Sequence, residues 1–224
     1  MGIQKKWTIA IDGPAGAGKS TAAQLFAERI GYLYLDTGAI YRCVTWGALK
    51  NKIKARNSKK LFNFCKHSRI DFFRKENRQK VYFNHKDITS YIRSAQVTRH
   101  VSAYSKLPVV RKALLGHQRR FSKEGGIVAE GRDLGTVVFP KAELKFFLDA
   151  SLEERAKRRH LEIKKGDLGQ VKKEIYRRDR IDSKRELAPL KKAKDALAID
   201  TTLLNVDQVV ARMYNEFKER RKKK

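Results

Sequence analysis

The chain has 224 residues, 41% of them hydrophobic, with 52 Lys and Arg against 24 Asp and Glu, a formal charge of +28 at pH 7. That length and apolar content suit one α/β domain with a smaller insertion, or two small domains, and exclude wholesale disorder. Cys43 and Cys65 are the only cysteines and lack paired metal-type spacing, which excludes a disulfide framework and reads as reduced packing residues in a reducing compartment.

Trp7 to Ile11 is a short apolar, β-branched run, predicted as a buried strand. A glycine-rich turn over Gly13 to Gly18 follows it directly. Lys19 to Ile30 carries helical spacing through Ala22, Leu25, Phe26 and Ile30, and Gly31 ends it. A brief strand, Tyr32 to Leu35, leads to Asp36-Thr37-Gly38, where Asp or Thr can cap a helix over Ala39 to Leu49. Asp36 fits that cap or a place in a magnesium and water network equally well. From Leu61 to Lys106 the texture changes to short aromatic and β-branched segments, Ile70 to Phe73 and Lys80 to Phe83. These are predicted as small antiparallel strands of an inserted subdomain. Pro108 to Phe121 reads as a helix with proline in its first turn, and Gly126 to Glu130 and Leu144 to Leu148 as two more strands. Ser151 suits the N-cap of a helix over Leu152 to Ile163, with Glu153 and Glu154 in its first turn. A polar loop, Lys164 to Gly169, precedes a charged helix from Gln170 to Lys184. A last strand at Leu197 to Asp200 and a helix from Val206 to Phe217 close the pattern, and Lys218 to Lys224 reads as a frayed, solvated tail. Strands alternating with helices predict a mainly parallel sheet covered on both faces.

No apolar run approaches the length of a membrane span, and the first residues lack both a hydrophobic stretch and a cleavage site. Met-Gly opens the chain, but Lys6 stands where a myristoylation pattern requires Ser or Thr. A soluble cytoplasmic protein, without a membrane partner, is the expectation. The charge surplus attracts polyanions and raises nucleic acid as a partner. Phosphate-binding arginines and a lysine-rich composition account for it as well, so nucleic acid is not favoured.

Gly13-Pro14-Ala15-Gly16-Ala17-Gly18-Lys19-Ser20 satisfies G-x-x-x-x-G-K-[ST] in full, between a predicted strand and a predicted helix. Glycines let the backbone turn its N–H groups inward around phosphates, and the following helix presents its positive end to the same anion. Lys19 adds a cation for the β- and γ-phosphates. The Ser20 hydroxyl is placed to ligate Mg²⁺, and Thr21 completes the cradle. The motif implies a nucleoside triphosphate, ATP, with magnesium. It does not name the acceptor, because many activities share it. No guanine-recognition signature follows it, and the compact chain with later arginines favours a small kinase over a motor.

Three further blocks are more discriminating: Leu35-Asp36-Thr37-Gly38-Ala39-Ile40-Tyr41-Arg42, then Glu130 to Pro140 (EGRDLGTVVFP), then Arg178 to Arg185 (RDRIDSKR) leading into Ala188-Pro189-Leu190. With IDGPAGAGKS they resemble, in order and over nearly the whole chain, the bacterial cytidylate kinase family of P-loop nucleoside monophosphate kinases. The resemblance implies a P-loop fold with a five-stranded parallel sheet. It divides the chain into a core (1–36, 107–157, 186–218), a monophosphate-binding region with the insertion (37–106), a short lid (158–185) and a basic tail (219–224). It also implies transfer of the γ-phosphoryl group of ATP to CMP or dCMP. The sequence is silent on oligomeric state, and a monomer is the expectation. Arg42, Arg132 and Arg185 match the arginines that grip the acceptor 5′-phosphate. Ser102, Arg111 and Asp133 match positions that read the cytosine edge, Arg178 and Asp182 those that contact the sugar, and Thr37 lies in the acceptor-binding block. Arg158 matches a lid arginine that approaches the donor phosphates; Arg155 and Arg159 are lesser candidates. Lys19, Arg132, Arg158 and Arg185 would carry the catalytic charge. Arginine suits these tasks because its planar fork binds phosphate oxygens in pairs.

Glu130 stands where relatives carry a carboxylate that backs the magnesium, often Asp. The chain departs from the family at Ile181, where some relatives have a carboxylate, and in a lid that looks shorter. The five histidines, His67, His85, His100, His117 and His160, form no metal or base pattern. Two other classes stay open: another P-loop small-molecule kinase, and a basic nucleic-acid-binding protein that uses ATP as a regulator.

Overall fold

A computed structural model describes residues 6–75, 78–163 and 167–223. In chain order the elements are β1 (Thr8–Asp12), α1 (Lys19–Arg29), β2 (Leu33–Asp36), α2 (Thr37–Lys50), α3 (Ser58–His67), β3 (Ile70–Lys75), β4 (Arg78–Phe83) and β5 (Lys86–Asp87). They continue with α4 (Ala95–Ser105), α5 (Pro108–Arg119), β6 (Ile127–Glu130), β7 (Leu144–Asp149), α6 (Leu152–Ile163), α7 (Leu168–Lys184), β8 (Leu197–Asp200) and α8 (Val206–Lys222). Two compact units result. One takes the residues up to Leu35 and from Ser122 onward; the other is Asp36–Phe121.

The first unit is built on a five-stranded sheet of order β2-β6-β1-β7-β8. β1 lies at its centre, parallel to β6 and β7, and β7 is parallel to β8. Every residue of β1 and β6 is buried, which is why these strands read as unbroken apolar runs rather than alternating ones. Ile9, Ile11, Phe26, Val128, Phe146, Met213 and Phe217 form the heart of the core against α1 and α8. Phe26 meets the edges of Phe146 and Phe217, and Trp7 meets the edge of Phe217. Parallel strands bring their carboxyl ends to one edge of the sheet, and the turn after β1, the turn after β6 and the start of α6 gather there.

The C-terminal segment differs from the expectation of a frayed tail. α8 runs through Lys222, opened by a capping box of Asn205 and Gln208. Its basic last turn is held rather than loose, because the Arg221 guanidinium lies 5.7 Å from the Trp7 ring centre and 5.4 Å from that of Phe217. A basic last turn also complements the negative end of the helix dipole. Ser151 caps α6 as expected, accepting from Glu154 N–H at 3.2 Å. Of the expected polar loop, Lys164, Lys165 and Gly166 lie outside the described residues. Asp167 then caps α7 by accepting from Gln170 N–H.

The second unit holds the expected antiparallel pair, β3 with β4, and extends it by β5 through a two-residue turn. Asn84 and His85 take φ of 46° and 66° there, the left-handed pair that a tight hairpin requires. Strands alone were expected between Leu61 and Lys106, yet helices α3 and α4 flank them. Short aromatic segments drew the reading toward strand, while the helical signals sat in the caps. Asn57 accepts from Lys60 N–H and Ser94 from Val97 N–H, and the buried positions Leu61 and Cys65, then Val97, Val101 and Tyr104, fall at helical spacing. Cys43 and Cys65 are free and buried in this unit. Burial raises both thiols, that of Cys65 to about 12, so they pack rather than react.

Candidate active site

The P-loop curls because three of its glycines sit where a side chain could not. Gly13 has φ of 149°, and a Cβ there would stand 1.9 Å from the Leu148 carbonyl oxygen. Gly16, with φ of 80°, lies against the Arg155 backbone, and Gly18 opens α1 from a left-handed conformation. The first turn of α1 holds no acidic residue, so its free N–H groups and dipole face only what enters the curl. Lys19 is buried and donates to the Pro14 carbonyl at 2.6 Å. Burial first, then the charge of Arg132, lowers its ammonium to about 7, with Glu130 pulling the other way. Ser20 and Thr21 are exposed at the helix start.

Beside the P-loop, the carboxyl end of β6 delivers Gly131-Arg132-Asp133. Gly131 N–H donates to Ile11 O at 2.9 Å, locking this turn to the central strand. Arg132 Nε donates to Asp182 Oδ2 at 3.2 Å. Arg185 donates through Nη1 to Asp182 Oδ1 at 3.3 Å, through Nη2 to Asp133 Oδ1 at 3.2 Å, and through Nε to Ala188 O at 2.6 Å. Arg132, Asp133, Asp182 and Arg185 thus form one alternating lattice of charge, three of its members fully buried. A buried guanidinium flanked by carboxylates keeps its orientation while presenting its remaining N–H groups. Arg178 is half-buried on α7, and its charge contributes to lowering Lys19.

Arg158 lies beside the P-loop: its Nη1 would be 3.8 Å from a Cβ on Gly18. It is anchored by Glu154 at 2.9 Å and by Thr201 Oγ1 and O at 3.0 and 2.6 Å. Glu130 accepts from the Tyr34 hydroxyl at 2.7 Å. In the second unit, Asp36 serves as the helix cap of α2, accepting from Ala39 N–H at 3.0 Å, and pairs with Arg93 at 3.3 Å. Thr37 is buried at the first position of α2. Arg42 donates to Ile92 O and to Thr98 Oγ1 at 3.1 and 2.9 Å. Arg111 is buried near the start of α5, donates to Ser105 O at 3.1 Å, and lies 5.0 Å over the Tyr41 ring. Ser102 is half-buried on α4, one turn before the Lys106 N–H that its carbonyl accepts.

Of three further residues of the site, Asp12 and Asp179 escaped the sequence reading and Arg155 was only a lesser candidate. Asp12, the last residue of β1, is buried and accepts from Leu134 and Gly135 N–H at 2.9 and 2.7 Å. It thereby holds the π-helical turn Leu134–Val138 that follows Arg132-Asp133. Desolvation raises its carboxyl to about 6 against those two hydrogen bonds. Its signal was in view, since a carboxylate ending an otherwise apolar buried strand must have a partner. Arg155 and Asp179 are the others. Asp179 accepts from Ala15 N–H, Arg155 donates to Ala15 O, and the two are ion-paired. Only their distance in sequence, bridged by the α6–α7 hairpin, hid this.

Among solved structures, an uncharacterized protein from Eubacterium ventriosum superposes with a TM-score of 0.53 at 13% identity, covering 96% of this chain and 99% of the other, a likeness of fold alone. Curated relatives are far closer in sequence. A cytidylate kinase of Geobacillus sp. (strain WCH70) is 51% identical over 95% of this chain and 96% of its own, and one of Bacillus thuringiensis (strain Al Hakam) 46% identical over 94% and 96%. The profile described as cytidylate kinase matches residues 9–219 and so takes in the P-loop, the Arg132 turn and the α7 lattice together. With a phosphate cradle at the head of a parallel sheet and arginines ordered by carboxylates beside it, the chain belongs to the cytidylate kinase family.

Proposed function

We infer that this protein transfers the γ-phosphoryl group of ATP to CMP or dCMP, giving ADP and CDP or dCDP. The observation that carries the reading is the buried Lys19 in its P-loop curl beside the lattice of Arg132, Asp133, Asp182 and Arg185. An oxygen of the acceptor phosphate attacks the γ-phosphorus while the bond to the β-bridging oxygen breaks, and ADP leaves with that electron pair. No protein nucleophile is required. The chain's contribution is positioning and charge, since donor and acceptor are both anions that repel.

Lys19 and the P-loop N–H groups hold the donor phosphates, and Arg158, steadied by Glu154 and Thr201, adds charge on the donor side. Arg42, Arg132 and Arg185 take the acceptor phosphate; Ser102, Arg111 and Asp133 read the cytosine edge; Arg178 and Asp182 contact the sugar; Thr37 lines the acceptor-binding block. Asp133 and Asp182 also fix the Arg185 fork. Mg²⁺ fits this chemistry. The Ser20 hydroxyl, exposed at the start of α1, would hold the ion together with phosphate oxygens and water. The ion would supply positive charge that offsets the charge of the transferring phosphates. The segment 37–106 acts as the acceptor-binding region and 158–185 as the lid, in a monomeric cytoplasmic enzyme of pyrimidine nucleotide metabolism.

Purified protein with ATP, Mg²⁺ and each of CMP, dCMP, UMP and AMP tests the reading. CMP and dCMP are expected to turn over fastest. AMP turning over as well as CMP would overturn it and favour another small-molecule kinase. RNA retention that falls steeply with salt, with no transfer to CMP, would favour the nucleic-acid-binding alternative.

A further inference from the structure

One P-loop residue is held through all of its groups by the α6–α7 hairpin. The Ala15 N–H donates to Asp179 Oδ1 at 3.1 Å, and the Ala15 carbonyl accepts from Arg155 Nη1 at 3.0 Å. Its methyl group packs with Ala156, Val171 and Ile175, from both helices of the hairpin. Arg155 is itself fixed, donating through Nε to the Ala150 carbonyl at 3.0 Å and paired with the second oxygen of Asp179. The next residue, Gly16, lies so close to α6 that a Cβ would come within 2.8 Å of the Arg155 carbonyl oxygen. The crest of the phosphate cradle is therefore carried by the hairpin rather than by the sheet below it.

We propose that Arg155 and Asp179 are positioning residues that hold the P-loop in its phosphate-binding curl and couple it to the α6–α7 hairpin, so that triphosphate binding and the order of that hairpin depend on each other. With the peptide units on both sides of Ala15 tethered, one by its N–H and the other by its C=O, neither turns out of the curl, and the N–H groups around the phosphates then need no rearrangement on binding. Because coupling is reciprocal, ATP in the cradle stabilises the hairpin by the same free energy with which the hairpin improves ATP binding. The inference rests only on the P-loop binding ATP.

The test measures the ATP dissociation constant of the full chain by calorimetry, without acceptor, for Asp179→Asn, Asp179→Glu, Arg155→Met and Asp179→Asn with Arg155→Met. Each single loss is expected to weaken ATP binding about tenfold while binding of CMP changes less than twofold. The double variant is expected to be no weaker than the worse single one, because Arg155 and Asp179 are ion-paired and act on one residue, Ala15. Asp179→Glu keeps the charge and covers the case in which Asp179→Asn fails to fold. Lys172→Gln, which removes an exposed α6–α7 ion pair with Glu153 that does not touch the P-loop, is expected to leave ATP affinity unchanged. Unchanged or tighter ATP binding by Asp179→Asn and Asp179→Glu would overturn the proposal; tighter binding would mean that the carboxylate competes with phosphate for Ala15 N–H. Equal weakening by Lys172→Gln would also overturn it, leaving only general hairpin stability. Since no acceptor takes part in the ATP titration, a failure to phosphorylate CMP would sink the functional reading without touching this one.

Discussion

Raising the pH from about 6 to about 8.5 is expected to weaken ATP binding roughly thirtyfold through a single side chain, Lys19. The ammonium is buried, donates to the Pro14 carbonyl and faces the charge of Arg132 against those of Glu130 and Asp12, and its pKa falls from 10.5 to about 7. Burial thus disfavours the charged form by on the order of 5 kcal/mol. Phosphate adds negative charge beside the ammonium and restores the proton. Near pH 6 about nine-tenths of the molecules carry the charge that ATP needs, and near pH 8.5 only about 3% do. Binding above neutrality therefore takes up a proton, visible as a calorimetric heat that depends on the buffer's ionisation enthalpy. For stability the sign is opposite to that of an ordinary ion pair. The folded value lies below the unfolded one, so the burden is fully present below about pH 7 and disappears as the pH rises toward 10.5. The assay compares ATP dissociation constants across this range for the native chain and Lys19→Met. The variant retains the ligand's own titration and loses the lysine's. A native slope no steeper than that of Lys19→Met would refute the reasoning.

Two further substitutions probe the fold around the site. Asp12→Ala leaves the N–H groups of Leu134 and Gly135 buried without an acceptor and is expected to cost about 2–4 kcal/mol, lowering Tm by roughly 5–15 °C. Its raised carboxyl makes the native chain lose stability between pH 3.8 and about 6, and this step is expected to vanish in the variant; an unchanged acid profile would count against the assignment. Gln118 is 1% exposed on α5, and among the described residues neither its amide nitrogen nor its amide oxygen has a hydrogen-bond partner. Gln118→Met, of similar length, is expected to raise stability by about 1–2 kcal/mol and Tm by several degrees. A lower melting temperature by calorimetry would show that the amide is satisfied after all.

Much of this protein was legible from residue order because the signals are local. Gly13 to Ser20 between an apolar strand and a helical pattern requires a phosphate cradle, since only glycine tolerates the backbone angles and close approach found at Gly13 and Gly16. The alternation of strands and helices gave the parallel sheet, and Pro108 and Ser151 marked helix starts by their own chemistry. The blocks at Asp36 to Arg42, Glu130 to Pro140 and Arg178 to Arg185 singled out the family. Helices α3 and α4 were missed because aromatic, β-branched stretches suit a strand or a helix until packing chooses. What only the tertiary structure decided is how charges far apart in sequence neutralise one another. Asp12 holds a turn more than 120 residues away, Asp179 and Arg155 close on Ala15, and Arg221 reaches back to Trp7 to hold a helix end that looked like a loose tail. Ionic partners carry no periodicity, and in a chain with 52 basic residues no arginine announces its carboxylate until the backbone has brought the two together.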